Sequence, residues 1–175
     1  MPARPVIVWF RHNLRLSDNS TIHAALKHGG PIIFTYVFDT SKDRTYGAAS
    51  LWWLHHSLAS LQQSLNDLGA ELTILCGSTE NELLNLAKIS NADTIVCGRQ
   101  YEPYEVALEQ QLHSMCKKHD IAFTRYAGYL QFEPEHIATL SGGPYKVFTP
   151  FWRRCKEHWH EASPIKPPKA LPSRK

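Results

Sequence analysis

The chain has 175 residues, 43% of them hydrophobic, enough to bury one core and too few to promise two. No apolar run approaches the roughly 20 residues of a membrane span, and Met1-Pro2-Ala3-Arg4 lacks the apolar core of a signal peptide, so a cytoplasmic protein is expected. The net charge of +3 is uneven: residues 141–175 carry eight Lys/Arg against Glu157 and Glu161, which reads as a solvated basic helix and tail and gives no sign of direct DNA binding by the net-acidic remainder.

Val6-Ile7-Val8-Trp9-Phe10 is a continuous apolar run, the pattern of a strand covered on both faces. A polar loop follows, and Ser20 to His28 suit a short helix that Gly29-Gly30 stops. Pro31 opens a second apolar run, Ile32 to Phe38. Leu51, Leu54, Leu58, Leu61, Leu65 and Leu68 then recur at spacings of three and four, one face of a long helix ended by Gly69. Leu72 to Cys76 reads as a third strand, and Thr79-x-x-Glu82 as a capping box opening a helix that carries Leu83, Leu84, Leu86 and Ala87. Thr94 to Cys97 makes a fourth strand, a helix from near Pro103 bears the stripe Leu108, Leu112, Met115 and Cys116, and Ile121-Ala122-Phe123 suggests a fifth strand.

Strands alternating with helices imply right-handed βαβ crossovers. The expected fold is therefore α/β: a doubly wound, five-stranded parallel sheet of order 3-2-1-4-5, Rossmann-like, with a C-terminal loop and helix extension. Past about Tyr126 the alternation stops. Ser141-Gly142-Gly143-Pro144 is a turn, Phe151 to Glu161 a candidate helix, and Pro164, Pro167, Pro168 and Pro172 give an extended, linker-like tail. The expected division is 1–130 for the α/β domain and 131–175 for a connector.

Open parallel sheets bind ligands beyond the carboxyl ends of their strands, where strand order reverses, here between strands one and four. Two polar loops meet there, Arg11 to Asn19 and Gly98 to Glu105. Neither carries a Gly-x-Gly-x-x-Gly, Walker or Gly-rich pyrophosphatase loop, which disfavours ordinary dinucleotide or ATP chemistry, and Ser141-Gly142-Gly143 lies after the sheet as a tight turn. Arg11, Arg15 and Asp18 admit two readings, a ligand-binding group or an ion-pair and capping network around the first loop. His113, Cys116 and His119, or Cys155, His158 and His160, have spacings that bring metal ligands together, yet Cys116 falls on the apolar stripe and no metal is expected. With no Cys-x-x-Cys pair, Cys76, Cys97, Cys116 and Cys155 read as reduced thiols. Trp52, Trp53 and Trp152 could stack on a ligand ring, but on helices they are expected to pack the core.

Four segments carry a resemblance: Trp9-Phe10-Arg11-His12-Asn13-Leu14-Arg15-Leu16-Ser17-Asp18-Asn19; Gly47-Ala48-Ala49-Ser50 leading into Trp52-Trp53-Leu54-His55-His56-Ser57-Leu58; Tyr101-Glu102-Pro103; and Gly143-Pro144-Tyr145-Lys146-Val147-Phe148-Thr149-Pro150-Phe151-Trp152. In this order, over nearly the whole chain, they resemble the photolyase/cryptochrome family. The resemblance implies an N-terminal domain that holds a light-harvesting antenna chromophore, followed by a helical domain that binds FAD and damaged DNA. There, excited reduced flavin donates an electron to a cyclobutane pyrimidine dimer, splits its carbon–carbon bonds and recovers the electron. It also implies that no catalytic residue lies in this chain, that the chain alone is inactive, and that Phe148, Phe151 and Trp152 self-associate when uncovered.

The implied antenna residues are Arg11, Asn13, Arg99, Gln100, Glu102, Tyr104 and Glu105, with methenyltetrahydrofolate preferred as chromophore and a flavin or deazaflavin next. Glu105 matches the Glu that grips the pterin in folate-binding relatives, and a carboxylate suits the amino-amide edge of that ring, which offers two parallel donors. The alternative is a first-turn glutamate that complements the helix dipole. Asn13 stands where the family commonly has Asp, Gly98 where Asn is frequent, and Tyr104 where some relatives carry Asn. Two other functions remain open, a fragment of a blue-light signalling cryptochrome and a stand-alone nucleotide-binding α/β domain. The missing phosphate loop weighs against the latter, and no residue of this chain separates repair from signalling.

Overall fold

The computed structural model describes residues 3–41, 46–159, 161 and 163–172. Strands β1 (Val6–Phe10), β2 (Ile32–Asp39), β3 (Leu72–Gly77), β4 (Thr94–Gly98) and β5 (Ala122–Tyr126) alternate with helices α1 (Ser20–His28), α2 (Ala48–Asn66), α3 (Thr79–Ser90) and α4 (Pro103–Lys117), and α5 (Phe148–Glu157) follows. All strand pairs are parallel, in the order β3-β2-β1-β4-β5, with Val8 of β1 opposite Phe34 and Val96. The doubly wound order is the one the alternation of apolar runs and helical stripes predicts.

β1 is buried throughout because its period-two alternation feeds two cores. Val6, Val8 and Phe10 join Ile22 and Ala25 of α1 and Leu61 and Leu65 of α2. On the other face Ile7 and Trp9 join Leu83 and Leu84 of α3 and Leu108 and Leu112 of α4. Each fully buried leucine on these faces, such as Leu65 or Leu112, stabilises the fold by about 1.5–3 kcal/mol relative to an exposed position. α1 ends as expected at Gly29, which takes the left-handed conformation at φ 80°.

Several expectations differ from the structure. The leucine stripe of α2 has the right period, but only Leu61 and Leu65 are buried. At about 1.5 Å per residue the helix runs about 28 Å, well past the roughly 17 Å of β1 in the same core, so its first turns overhang the strand ends. Trp52 and Trp53 ride on that overhang at 62% and 69% exposure, and Trp152 on α5 is 42% exposed, so none of the three packs the core as expected. The capping box at Thr79 does not form. Thr79 donates its hydroxyl to Asp39 at the end of β2 (2.7 Å), and the N-cap moves back to Ser78, whose carbonyl accepts from Glu82 N. β5 starts at Ala122, because Ile121 N closes α4 on the Cys116 carbonyl, and the last helix covers Phe148–Glu157, starting and ending earlier than the expected Phe151 to Glu161.

The Pro-rich tail has no helix or strand over residues 163–172 and is tied to the first loop: Asp18 N donates to Ile165 O (2.7 Å) and Ile165 N to Asp18 Oδ1 (3.2 Å), while Leu171 packs on the α1/α2 core. Among the described residues no helix is long and apolar enough to cross a membrane. Among the described residues no group of three His, Cys, Asp or Glu is placed to hold a metal, and His160 of the Cys155–His158–His160 set lies outside them.

Candidate functional site

The side chain of Arg11, the first residue after β1, turns inward and is 4% exposed. Four contacts hold it. Its Nη2 bonds Glu105 and its Nη1 bonds Glu109, both on α4, and Nη1 also donates to the Gly98 carbonyl at the end of β4 (3.2 Å). The guanidinium lies over the Trp9 ring, 4.5 Å from its centroid, where a cation meets the negative face of the indole. Glu109 is 1% exposed and completes the network by accepting from Gln100 N (3.0 Å) and Arg125 Nη1 (2.7 Å). Two cations face two carboxylates, the balance that burial of charge requires. Burial works against the charge of Arg11, but the hydrogen bond to Glu109 and the charge and hydrogen bond of Glu105 outweigh it, and its pKa is raised. Burial pushes the Cys97 thiol beside it up to about 12, which keeps it neutral.

Two hollows open beyond the strand ends. The larger, about 390 Å³, lies between the first loop and the overhanging start of α2, walled by Tyr36, Tyr46, Trp53 and Leu54 and reaching Arg11 and His12. A smaller hollow of about 40 Å³ shares Arg11, His12, Tyr36 and Tyr46 with it and carries the space inward to Trp9 and Glu105, so the two form one cleft. Tyr36 is buried at the junction, and that burial, with Tyr46 and Glu105 nearby, raises its pKa and keeps the phenol protonated. The second space is a recess of about 70 Å³ between β1 and β4, reached by Asn13, Gly98, Arg99 and Gln100.

The residues expected to form one site therefore divide. Arg11 and Glu105 line the inner end of the large cleft, whereas Asn13, Arg99 and Gln100 line the β1/β4 recess. Tyr104 is 48% exposed on α4, Glu102 is the N-cap of that helix, and neither lines either space. Arg99 turns to the connector, bonding Glu133 (2.8 Å) and Glu135, and Tyr101 donates to the same Glu133 (2.6 Å). In the first loop the ion pair forms between Arg15 and Asp18 (3.6 Å), while Arg11 takes its partners from α4. Asn13 and Gly98 prove to be neighbours: a Cβ on Gly98 would meet Asn13 Nδ2 at 3.3 Å, so the two departures from the family pattern share one contact. Sequence reasoning missed Glu109, Tyr36 and Tyr46. Glu109 left a signal, a second carboxylate one turn after Glu105 on the face that carries Leu112 and Cys116, since a charge on a buried stripe demands a buried partner.

The model of the DNA photolyase family matches residues 6–172. The chain belongs to the DNA photolyase family. A deoxyribodipyrimidine photo-lyase of Agrobacterium fabrum is 42% identical over 98% of the chain and 36% of its own length, and a cryptochrome-1 of Arabidopsis thaliana is 34% identical over 94% and 25%. The crystal structure of a bacterial class III photolyase from Agrobacterium tumefaciens superimposes with a TM-score of 0.92 at 41% identity, covering 100% of this chain and 36% of that one. The chain thus spans about a third of the length of these photolyases, and it corresponds to their N-terminal α/β domain.

Proposed function

We propose that this photolyase domain holds an antenna chromophore in the cleft between β1, β2 and α2, and serves a helical domain that binds FAD and splits cyclobutane pyrimidine dimers in DNA. The observation that carries the reading is the cleft: at about 390 Å³ it falls in the size range of small-molecule sites, it has aromatic walls, and its inner end carries polar groups fixed by the Arg11 network. When bound, the chromophore supplies near-ultraviolet or blue absorption and passes its excitation on. The protein's own part is to bind and orient. Trp53, Tyr46 and Tyr36 offer flat apolar contact, and Glu105, locked by Arg11, presents a carboxylate with a fixed direction.

Methenyltetrahydrofolate is the chromophore this pairing favours, because a pterin edge satisfies a carboxylate with two parallel donors. A flavin or deazaflavin is the alternative. FAD as the reactive cofactor does not fit these residues. Asn19 Oδ1 already accepts from Thr21 N and Ile22 N, so the start of α1 offers no seat for a pyrophosphate. The chain alone is accordingly inactive in repair, and its contact with damaged DNA runs through the helical domain.

The test is a titration of methenyltetrahydrofolate into the wild-type, Trp53→Ala and Glu105→Gln chains, followed by absorbance and fluorescence, with thermal melts as a control for folding. Trp53→Ala is expected to weaken binding with an unchanged melt, and Glu105→Gln to weaken it by roughly tenfold or more, the loss of a bond to a charged group. Equal affinities in all three chains would remove the folate reading, and tight flavin or deazaflavin binding would replace it.

A further inference from the structure

Tyr36 carries a polar group that the fold itself does not use. On one face of β2, Phe34, Tyr36 and Phe38 follow one another at the strand period and pack on the α1/α2 core, and only the middle one bears a hydroxyl. Packing alone needs no oxygen there. Tyr36 is 6% exposed, yet among the described residues its hydroxyl makes no hydrogen bond, whereas the hydroxyl of neighbouring Thr35 donates to the Thr73 carbonyl and that of Tyr101 to Glu133. The polar side-chain atoms that are both sealed in and unbonded are at Thr21 and His28. The Tyr36 oxygen is not sealed in: it opens to the cleft where the outer and inner hollows meet, near Tyr46 and Glu105.

A phenol at this place has a defined chemical role. Burial raises its pKa above the ordinary value, so it meets a ligand as a neutral donor. Glu105, held by Arg11, meets a ligand as an acceptor, and a carboxylate has about four acceptor positions, more than the Arg11 bond takes up. A donor beside an acceptor is the complement of a cyclic amide, in which C=O and N–H are adjacent. Along one edge of a pterin the ring carbonyl, the ring N–H and the amino group follow in sequence. Flavins and deazaflavins have a second carbonyl in place of the amino group, and that oxygen would face the carboxylate with like partial charge. We propose that Tyr36 is a chromophore-binding residue that donates to the ring carbonyl next to the N–H accepted by Glu105, so that the two side chains together select a 2-amino-4-oxopyrimidine edge. The inference rests on the antenna reading of the cleft and adds to it the residue that fixes how the ring edge enters.

The test uses the full 175-residue chain. Methenyltetrahydrofolate is titrated into wild type and Tyr36→Phe and followed by absorbance and fluorescence. Pterin and lumazine, which differ on that edge by an amino group against a carbonyl, are compared on ¹⁵N-labelled wild type by NMR. Tyr36→Phe is expected to keep the melting temperature, since its hydroxyl bonds nothing in the protein, and to weaken folate about two- to tenfold, the worth of one net hydrogen bond. Pterin should shift the Tyr36 and Arg11 amides saturably and bind about tenfold tighter than lumazine. Failure of the wild type to bind folate would overturn the antenna reading and this inference with it. Equal folate affinity in wild type and Tyr36→Phe would overturn the role of Tyr36 alone and leave the cleft its chromophore. A Tyr36→Phe chain that melts well below wild type would make the hydroxyl a structural group and would also overturn that role. Equal binding of pterin and lumazine, a comparison that needs no variant, would overturn the edge selection.

Discussion

Replacing Glu109 by Ala removes the carboxylate that ties Arg11, Arg125 and the Gln100 backbone together at a position only 1% exposed. The guanidinium of Arg11, itself 4% exposed, would keep Glu105 and the Gly98 carbonyl but lose the carboxylate bonded to Nη1. Breaking a buried pair from one side costs about 3–5 kcal/mol, a large part of the roughly 5–15 kcal/mol that holds a domain together. For a chain of this size about 2–4 °C of melting temperature accompanies each kcal/mol, so a drop of roughly 6–20 °C is expected. Glu109→Gln keeps the shape and an acceptor but not the charge, and should fall between Ala and wild type. The control is Glu157→Ala on α5, whose exposed pair with Arg154 (3.4 Å) should matter by less than about 0.5 kcal/mol. Urea and thermal unfolding, followed by tryptophan fluorescence and circular dichroism, give the comparison. If Glu109→Ala and Glu157→Ala lose the same stability, the Arg11 network is solvated and does not organise the inner end of the cleft.

A Cβ at Gly98 would press on Asn13 at 3.3 Å, so Gly98→Ala and Asn13→Ala should be non-additive by about 0.5 kcal/mol or more in a double-mutant cycle; strict additivity would mean that the two positions do not touch. Arg99 holds the Glu135 carboxyl at about 2 against an ordinary 4.5. Because the folded value is the lower one, the stability this pair gives is present above about 4.5 and lost as pH falls toward about 2. An NMR titration of Glu135 should therefore show a midpoint near 2, moving up in Arg99→Gln; a midpoint of 4.5 in the wild type would contradict the clamp. Phe148 and Trp152 stack at 6.2 Å with 70% and 42% exposure, and the chain is expected to self-associate through them. Light scattering over a concentration series should show association that Phe148→Ser with Trp152→Ser reduces; a wild-type monomer at every concentration would show that the patch is inert.

The fold was legible because its signals are local and redundant. A five-residue apolar run such as Val6–Phe10 has few alternatives to a doubly covered strand, and Gly29 ends a helix wherever φ must turn positive. Boundaries were less so, because they depend on partners distant in sequence: the cap of α3 moved when Asp39, forty residues earlier, took the Thr79 hydroxyl. The tryptophans of α2 misled for a related reason. Periodicity shows which side of a helix is apolar, not whether the sheet extends far enough to cover it, and Trp52 and Trp53 lie past that edge. At the site, Arg11 and Glu105 were found through loops at the switch point, and they do meet. That Asn13, Arg99 and Gln100 serve a different space follows from side-chain direction, which a loop sequence does not encode. Tyr36 and Tyr46 escaped notice because one reads as a strand residue and the other stands in a loop with no periodicity, and only folding brings them to one wall.

The central claim, that the cleft between β1, β2 and α2 is the antenna site, is tested most directly by mapping methenyltetrahydrofolate on the ¹⁵N-labelled chain by NMR. Saturable shifts should cluster at Tyr36, Tyr46, Ser50 and the Trp53 indole, with the amides of Arg11 and Glu105 following as the inner end responds. Binding that leaves these groups unmoved and shifts residues elsewhere, or no binding of folate, flavin or deazaflavin at the cleft at all, would contradict it.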